Sequence, residues 1–307
     1  MMHSQNRVSP SPSHAPLRAP LVRVFTIDGD PRGGNPAPVW LDAEAMTAAE
    51  MQSRAHASGH ESVFVRACSD GVHRWDMRYF VPLHEMEMCG HATIAALWLL
   101  HAQDRWDGEP VAIRTASGTV HGRRMDDRIE ISQPPASMRL LGEGHIRSLV
   151  QCLGLRTSQI VDGVLNASTS RAKTLIRLDS VETLHALRVK AEQVPIVCER
   201  IGSTGLYPYA VSRVEPREVH CSARQFPRSS GYLEDPATGI AAAALAWGLR
   251  RMALLGPRSA VVTVRQGETM GSPSQITVRM PAVTQEAEGC WVGGHALLET
   301  DWGGQWI

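Results

Sequence analysis

The chain has 307 residues, 43% of them hydrophobic, enough to bury one large core or two modest ones. Lys plus Arg and Asp plus Glu each number 31, so the net charge is zero and no overall field favours nucleic acid or an anionic membrane. No apolar run reaches the roughly 18 residues a membrane helix needs, so no membrane partner is expected.

Residues 1–20 are rich in Ser, Pro and His and lack the apolar segment of a signal peptide; they are expected to form a disordered tail on a cytoplasmic protein. The six cysteines show no C-x-x-C pair and no zinc-like spacing, which fits reduced thiols and no metal site. Leu21–Ile27 is rich in β-branched residues and predicts a strand, followed by a Gly/Asp/Pro-rich loop over Asp28–Pro36. Thr47 and Glu50 have capping-box spacing ahead of a helix reaching Ala57, and Ser62–Arg66 and Trp75–Phe80 return to strand character. Ala92–Ala102 predicts a helix that is apolar around most of its circumference, which belongs inside a lobe rather than on its surface. Val111–Thr115, Gly118–Arg123 and Arg128–Ser132 read as short strands, and Gln133-Pro134-Pro135 as a boundary.

The second half repeats this plan. It predicts helices over His145–Leu153 and Val181–Arg188, and strands over Thr174–Leu178, Pro208–Arg213 and Glu218–Arg224. A second, almost wholly apolar helix covers Ala237–Met252, and strands at Val261–Arg265 and Ile276–Met280 follow. Two lobes are expected, 21–133 and 134–292, each with strands wrapped around one buried helix.

Each apolar helix starts behind a short polar segment, Met88-Cys89-Gly90-His91-Ala92-Thr93 in one half and Glu234-Asp235-Pro236-Ala237-Thr238-Gly239 in the other. A helix start presents unpaired N–H groups and partial positive charge, so two brought together would receive a small carboxylate. Asp235-Pro236 reads first as an N-cap and N1 pair, a role that leaves the carboxylate free to meet a ligand. His91 suits proton exchange near neutrality, although a lone histidine is more often a packing residue. Glu61 reads as a turn carboxylate unless its strand end faces the other lobe, where desolvation would suit it to moving protons. Cys89 finds no second thiol in the matching segment, so a two-thiol racemase is not supported. The sequence lacks H-E-x-x-H, G-x-G-x-x-G, the P-loop and G-x-S-x-G, which disfavours metal, nicotinamide and nucleotide dependence.

In order along the chain, Val24-Phe25-Thr26, Gly34-Asn35-Pro36-Ala37-Pro38-Val39, Glu61, Arg78-Tyr79-Phe80-Val81-Pro82, Cys89-Gly90-His91-Ala92-Thr93, Glu234-Asp235-Pro236-Ala237-Thr238-Gly239 and Gln266-Gly267 resemble the PhzF-like isomerase family, relatives of diaminopimelate epimerase. The resemblance implies an α/β (α+β), diaminopimelate epimerase-like fold: two pseudo-symmetric lobes, each a β-barrel-like sheet around a central helix, with residues 293–307 available to complete the first lobe. It implies a cofactor-independent isomerase, often homodimeric, acting by proton transfer on a small carboxylate- or amino-acid-like substrate between the lobes. Epimerisation of a small amino acid, or ligand binding without turnover, are the alternatives. By that similarity Glu61 is the proton shuttle, and His91 and Asp235 hold polar groups and developing charge. Gly90 and Gly239 offer backbone N–H groups to an oxyanion. Two departures from the family pattern, His60 beside Glu61 and Ile240 in place of a serine, mark further substrate-binding candidates and a changed substrate.

Overall fold

A helix apolar on every side has to be enclosed, and in the computed structural model, which describes residues 19–27, 30 and 32–299, each of the two is enclosed by a ring of strands. The first half runs β1 (Leu21–Thr26), β2 (Asn35–Trp40), α1 (Ala48–Ser58), β3 (Ser62–Ala67), β4 (Trp75–Phe80), β5 (Glu85–Met86), α2 (Gly90–Ala102), β6 (Val111–Thr115), β7 (Gly118–Met125) and β8 (Arg128–Gln133). The second runs β9 (Ser137–Leu140), α3 (Glu143–Leu153), β10 (Leu165–Ser168), β11 (Ala172–Arg177), α4 (Val181–His185), α5 (Val194–Ile201), β12 (Gly205–Glu215), β13 (Glu218–Ala223), β14 (Phe226–Pro227), α6 (Gly239–Arg251), β15 (Ala260–Gln266), β16 (Ser274–Met280) and β17 (Cys290–Leu298).

The pairing repeats between halves. β1–β2 is antiparallel, β2–β3 parallel, β3–β4 antiparallel, β4–β6 parallel and β6–β7 antiparallel; β10–β11, β11–β12, β12–β13, β13–β15 and β15–β16 follow the same sequence. The rings close by exchanging strands. β17 pairs β16 through Trp291–Gly293 and β1 through His295–Leu298, while β8 lies along its other side. Beyond Pro134 and Pro135 the chain of β8 continues as β9, which pairs β10 in the second ring. Eight strands, β1, β2, β3, β4, β6, β7, β8 and β17, thus form a closed barrel around α2, and the fold is mixed α/β of the diaminopimelate epimerase-like type. Around α6, β9 to β13 and β15 to β17 make the counterpart.

Inside the rings, Ala92, Ile94, Leu97 and Leu100 of α2 and Ala241 to Ala244 and Leu249 of α6 are fully buried. Close approach is obtained in opposite ways. On the α2 side the sheet supplies the glycine, because a Cβ at Gly122 would lie 2.3 Å from Leu97; on the α6 side the helix supplies it, because a Cβ at Gly248 would lie 2.6 Å from Leu175. At the junction, Glu130 of β8 is wholly buried and held by Arg123 of β7, 2.9 Å away, and by Arg279 of β16.

Several boundaries differ from the sequence-based expectations. Asn35–Trp40 is a strand despite Pro36 and Pro38: the amide of Val39 donates to Pro20 O at 3.0 Å, so the alternate proline nitrogens face the other flank, where the parallel partner begins only at Val39. Ala19, assigned to the tail with Pro20, is 7% exposed and packs with Trp40 and Met51. Residues 1–18 and 300–307 lie outside the described residues. The helix after Val181 ends at His185, and β17 was not foreseen because Gly293-Gly294 interrupts its strand character.

Candidate active site

Glu61 owes its position to a tight turn between α1 and β3. Gly59 caps α1 with φ 70°, a left-handed conformation that favours glycine, and the Ser58 hydroxyl accepts the His60 amide at 3.2 Å and lies 3.3 Å from Ser62 Oγ. The carboxylate then reaches the start of α2. Cys89 Sγ donates to Glu61 Oε2 at 3.1 Å, and His91 Nδ1 lies 3.4 Å from Cys89 Sγ and 3.7 Å from Glu61 Oε2. Tyr232 of the second lobe donates its hydroxyl to Glu61 Oε1 at 3.4 Å.

Asp235 arrives from a loop pinned on both sides. The side chain of Glu234 takes a two-pronged ion pair from Arg224 at 2.9 and 2.7 Å, and the Asp235 amide donates to Gln225 O at 3.0 Å. Its carboxylate accepts from Asn35 Nδ2 of the first lobe at 3.1 Å and from the Thr238 hydroxyl. The buried Gln266, held by Tyr207 OH at 3.0 Å, donates to Asp235 O at 2.7 Å and to Thr238 Oγ1 at 3.2 Å.

These two constructions face one another. A cleft of about 600 Å³ is lined by Glu61, Cys89, Gly90 and His91 from the first lobe and by Asp235, Thr238, Gly239 and Ile240 from the second. Gly90 and Gly239 also share a small apolar crevice with Phe25 and Ile131, so the two helix starts meet at the lobe junction. Neither start is capped by a side chain, which leaves its first N–H groups to the cleft. Phe25, at a bulge in β1 with φ 66°, sets its ring beneath Gly239, where an added Cβ would approach it to 3.3 Å.

Burial raises the proton affinity of Asp235, and the charge of Glu61 raises it further, to about 7 from the ordinary 3.8, against the opposing pull of the Thr238 hydroxyl and Lys173. Burial pushes His91 the other way, toward the neutral imidazole, with Glu61 opposing. Burial first, and the Glu61 charge second, hold the Cys89 thiol well above its usual range, so it serves as a protonated donor. Glu61, Cys89 and His91 place potential metal-ligand atoms within 4.8 Å of one another.

Seven residues were singled out from sequence; Glu61, Gly90, His91, Asp235, Gly239 and Ile240 line the cleft, and His60 does not. His60 sits in the bend before β3, and burial first, then the charge of Arg23, lowers its proton affinity. Sequence reasoning missed Tyr232, Gln266 as a hydrogen-bond donor, and Lys173. Lys173 stands one residue ahead of the predicted strand Thr174–Leu178, and its pairing with Ala167 places it within β11.

The sequence profile described as "Phenazine biosynthesis-like protein" (PhzC-PhzF) matches residues 22–301. An "uncharacterized isomerase" of Deinococcus radiodurans is 32% identical over 298 residues, covering 92% of this chain and 94% of its own. Among solved structures, a phenazine biosynthesis protein of the PhzF family from Bacillus anthracis superposes with a TM-score of 0.81 at 24% identity, covering 92% of this chain and 96% of that one. A hydroxyproline epimerase from Agrobacterium vitis shares the fold at a TM-score of 0.57 and 12% identity, covering 92% of this chain and 90% of that one. Among the described residues no helix is long and apolar enough to cross a membrane.

Proposed function

This chain belongs to the phenazine biosynthesis-like family and is an isomerase, and on that premise we propose that it transfers a proton between two carbons of a small carboxylic or amino acid, without a cofactor, in the inter-lobe cleft. One observation carries the reading: Glu61 and Asp235, from different lobes, line one cleft between two uncapped helix starts, and Asp235 is held near neutrality by burial and by the charge of Glu61. Carboxyl groups whose surroundings drive their proton affinities apart can serve as base and acid.

Glu61 takes a proton from the carbon beside the substrate carboxylate. The electron pair left behind spreads onto the carboxylate oxygens, where N–H groups at Gly90 and Gly239 and the protonated Asp235 stabilise it. Glu61 then returns the proton to the far carbon of the same three-carbon unit, and the double bond moves. The Cys89 thiol and Tyr232 hydroxyl, both donating to Glu61, hold the carboxylate in place between the two transfers.

The test is incubation of a panel of unsaturated cyclic and acyclic carboxylic and amino acids in deuterated water. The expected result is deuterium at one carbon with a shifted double bond, and a loss of about 10³-fold or more in Glu61→Gln at unchanged circular dichroism. Full exchange in Glu61→Gln overturns the assignment of the base. Inverted configuration with unchanged connectivity replaces isomerisation by epimerisation, and binding without exchange leaves a ligand-binding homologue.

A further inference from the structure

One charged group in the cleft has no part in the proton transfer. Lys173 is 5% exposed and lines the cleft, yet among the described residues it makes neither hydrogen bond nor ion pair. Strand alternation explains where it points. Leu175 of β11 faces inward against α6, as its contact position at Gly248 shows, so Lys173 falls on the same face, two residues nearer the turn that carries Arg171. Arg171 also lines the cleft and is likewise unpaired among the described residues. Two like charges on one cleft wall, one of them buried, cost free energy that no carboxylate among the described residues recovers by contact. Asp235 and Glu61 act on Lys173 only through space, and Glu87 and Glu288 line the exposed rim.

We propose that Lys173, with Arg171 at the lip, binds a second anionic group of the substrate, so that the enzyme acts on a dianionic acid, one carboxylate held at the helix starts and the other against the β11 wall. This inference rests on the small-acid reading of the cleft and narrows its substrate class. It also gives the buried ammonium a purpose: burial weakens its hold on the proton, to about 8 from 10.5, yet leaves it mostly charged at neutrality and ready for an anion.

Saturated probes of equal carbon number separate this claim from the chemistry, because they bind without turnover. Glutarate and valerate, titrated calorimetrically into the full chain at neutral pH, should differ in affinity by at least about tenfold in favour of the dianion. Lys173→Met, which keeps length and replaces the charge by apolar bulk, should bring glutarate down to the level of valerate and leave valerate within about twofold; Lys173→Arg should retain most of the preference. Equal binding of both acids by the unmodified enzyme overturns the proposal, as does a preference that survives in Lys173→Met. A dianion preference in a protein that shows no proton exchange would retain this inference and remove the isomerase reading; exchange without the preference would do the reverse.

Discussion

The two helix starts repeat one backbone arrangement and carry opposite chemistry. At α2, Cys89-Gly90-His91 meets Glu61, so a thiol and an imidazole surround one carboxylate; at α6, Thr238-Gly239-Ile240 follows Asp235, whose carboxyl is kept near neutrality, with an ammonium on the neighbouring strand. A symmetric pair of starts can hold an anion, but proton transfer needs a base on one side and an acid on the other. The difference lies in side chains that strand pairing alone does not reveal.

Five changes sharpen or break that asymmetry. Asp235→Asn should lower exchange by about 100-fold while leaving the Glu61 side intact, because the acid and the charge stabiliser are lost together. The same variant should change the pH dependence of stability. The folded-state value of about 7 exceeds the ordinary 3.8, so between those values the unfolded chain has shed a proton that the native state keeps, and stability falls as pH rises through the window and levels above it. Urea unfolding at about pH 5 and about pH 8 should show the decline in the parent and a flatter profile in Asp235→Asn.

Gly293→Ala attacks the scaffold that brings the starts together. A Cβ there would lie 2.4 Å from Ile129 O, and the expected cost is about 3 kcal/mol, read as a lower urea midpoint; an unchanged midpoint would mean the shared strand is less tightly held than its geometry states. Cys89→Ser should reduce exchange by less than about tenfold, since a hydroxyl can still donate to Glu61; a loss approaching 10³ would make the thiol a base and favour epimerisation. The smallest contrast is between the glycines themselves. A Cβ at Gly90 meets Ile131 at an ordinary 3.5 Å, whereas one at Gly239 meets Val292 at 3.2 Å, so thermal unfolding should place Gly90→Ala near the parent and Gly239→Ala lower by about 1 kcal/mol.

Much of the candidate site was legible because its residues sit at punctuation points. Glu61 precedes a β-branched run, and His91 and Asp235 flank the apolar stretches of α2 and α6, where the change of hydrophobic pattern is strongest. His60 adjoins Glu61 in sequence, yet it sits in the bend before β3 and is not among the residues lining the cleft. Lys173 is not legible in the same way: a single lysine at a strand end reads as solvated, and only the folded chain shows it buried in the wall of the cleft. β17, with its double glycine, carries a local signal that tertiary contacts override.

The amino-acid sequence by itself determined that two apolar helices must be buried, that each starts behind a polar segment bearing ionisable groups, and that the order of motifs is that of one isomerase family. Only the tertiary structure decided which ring each terminal strand closes, that Asp235 of one lobe and Glu61 of the other line one cleft, and that Lys173 is enclosed with no hydrogen bond or ion pair among the described residues. Burial and its effect on charge depend on residues far apart in the chain. Local pattern cannot encode them until β8 and β17 cross between the barrels and draw the two helix starts to a common cleft.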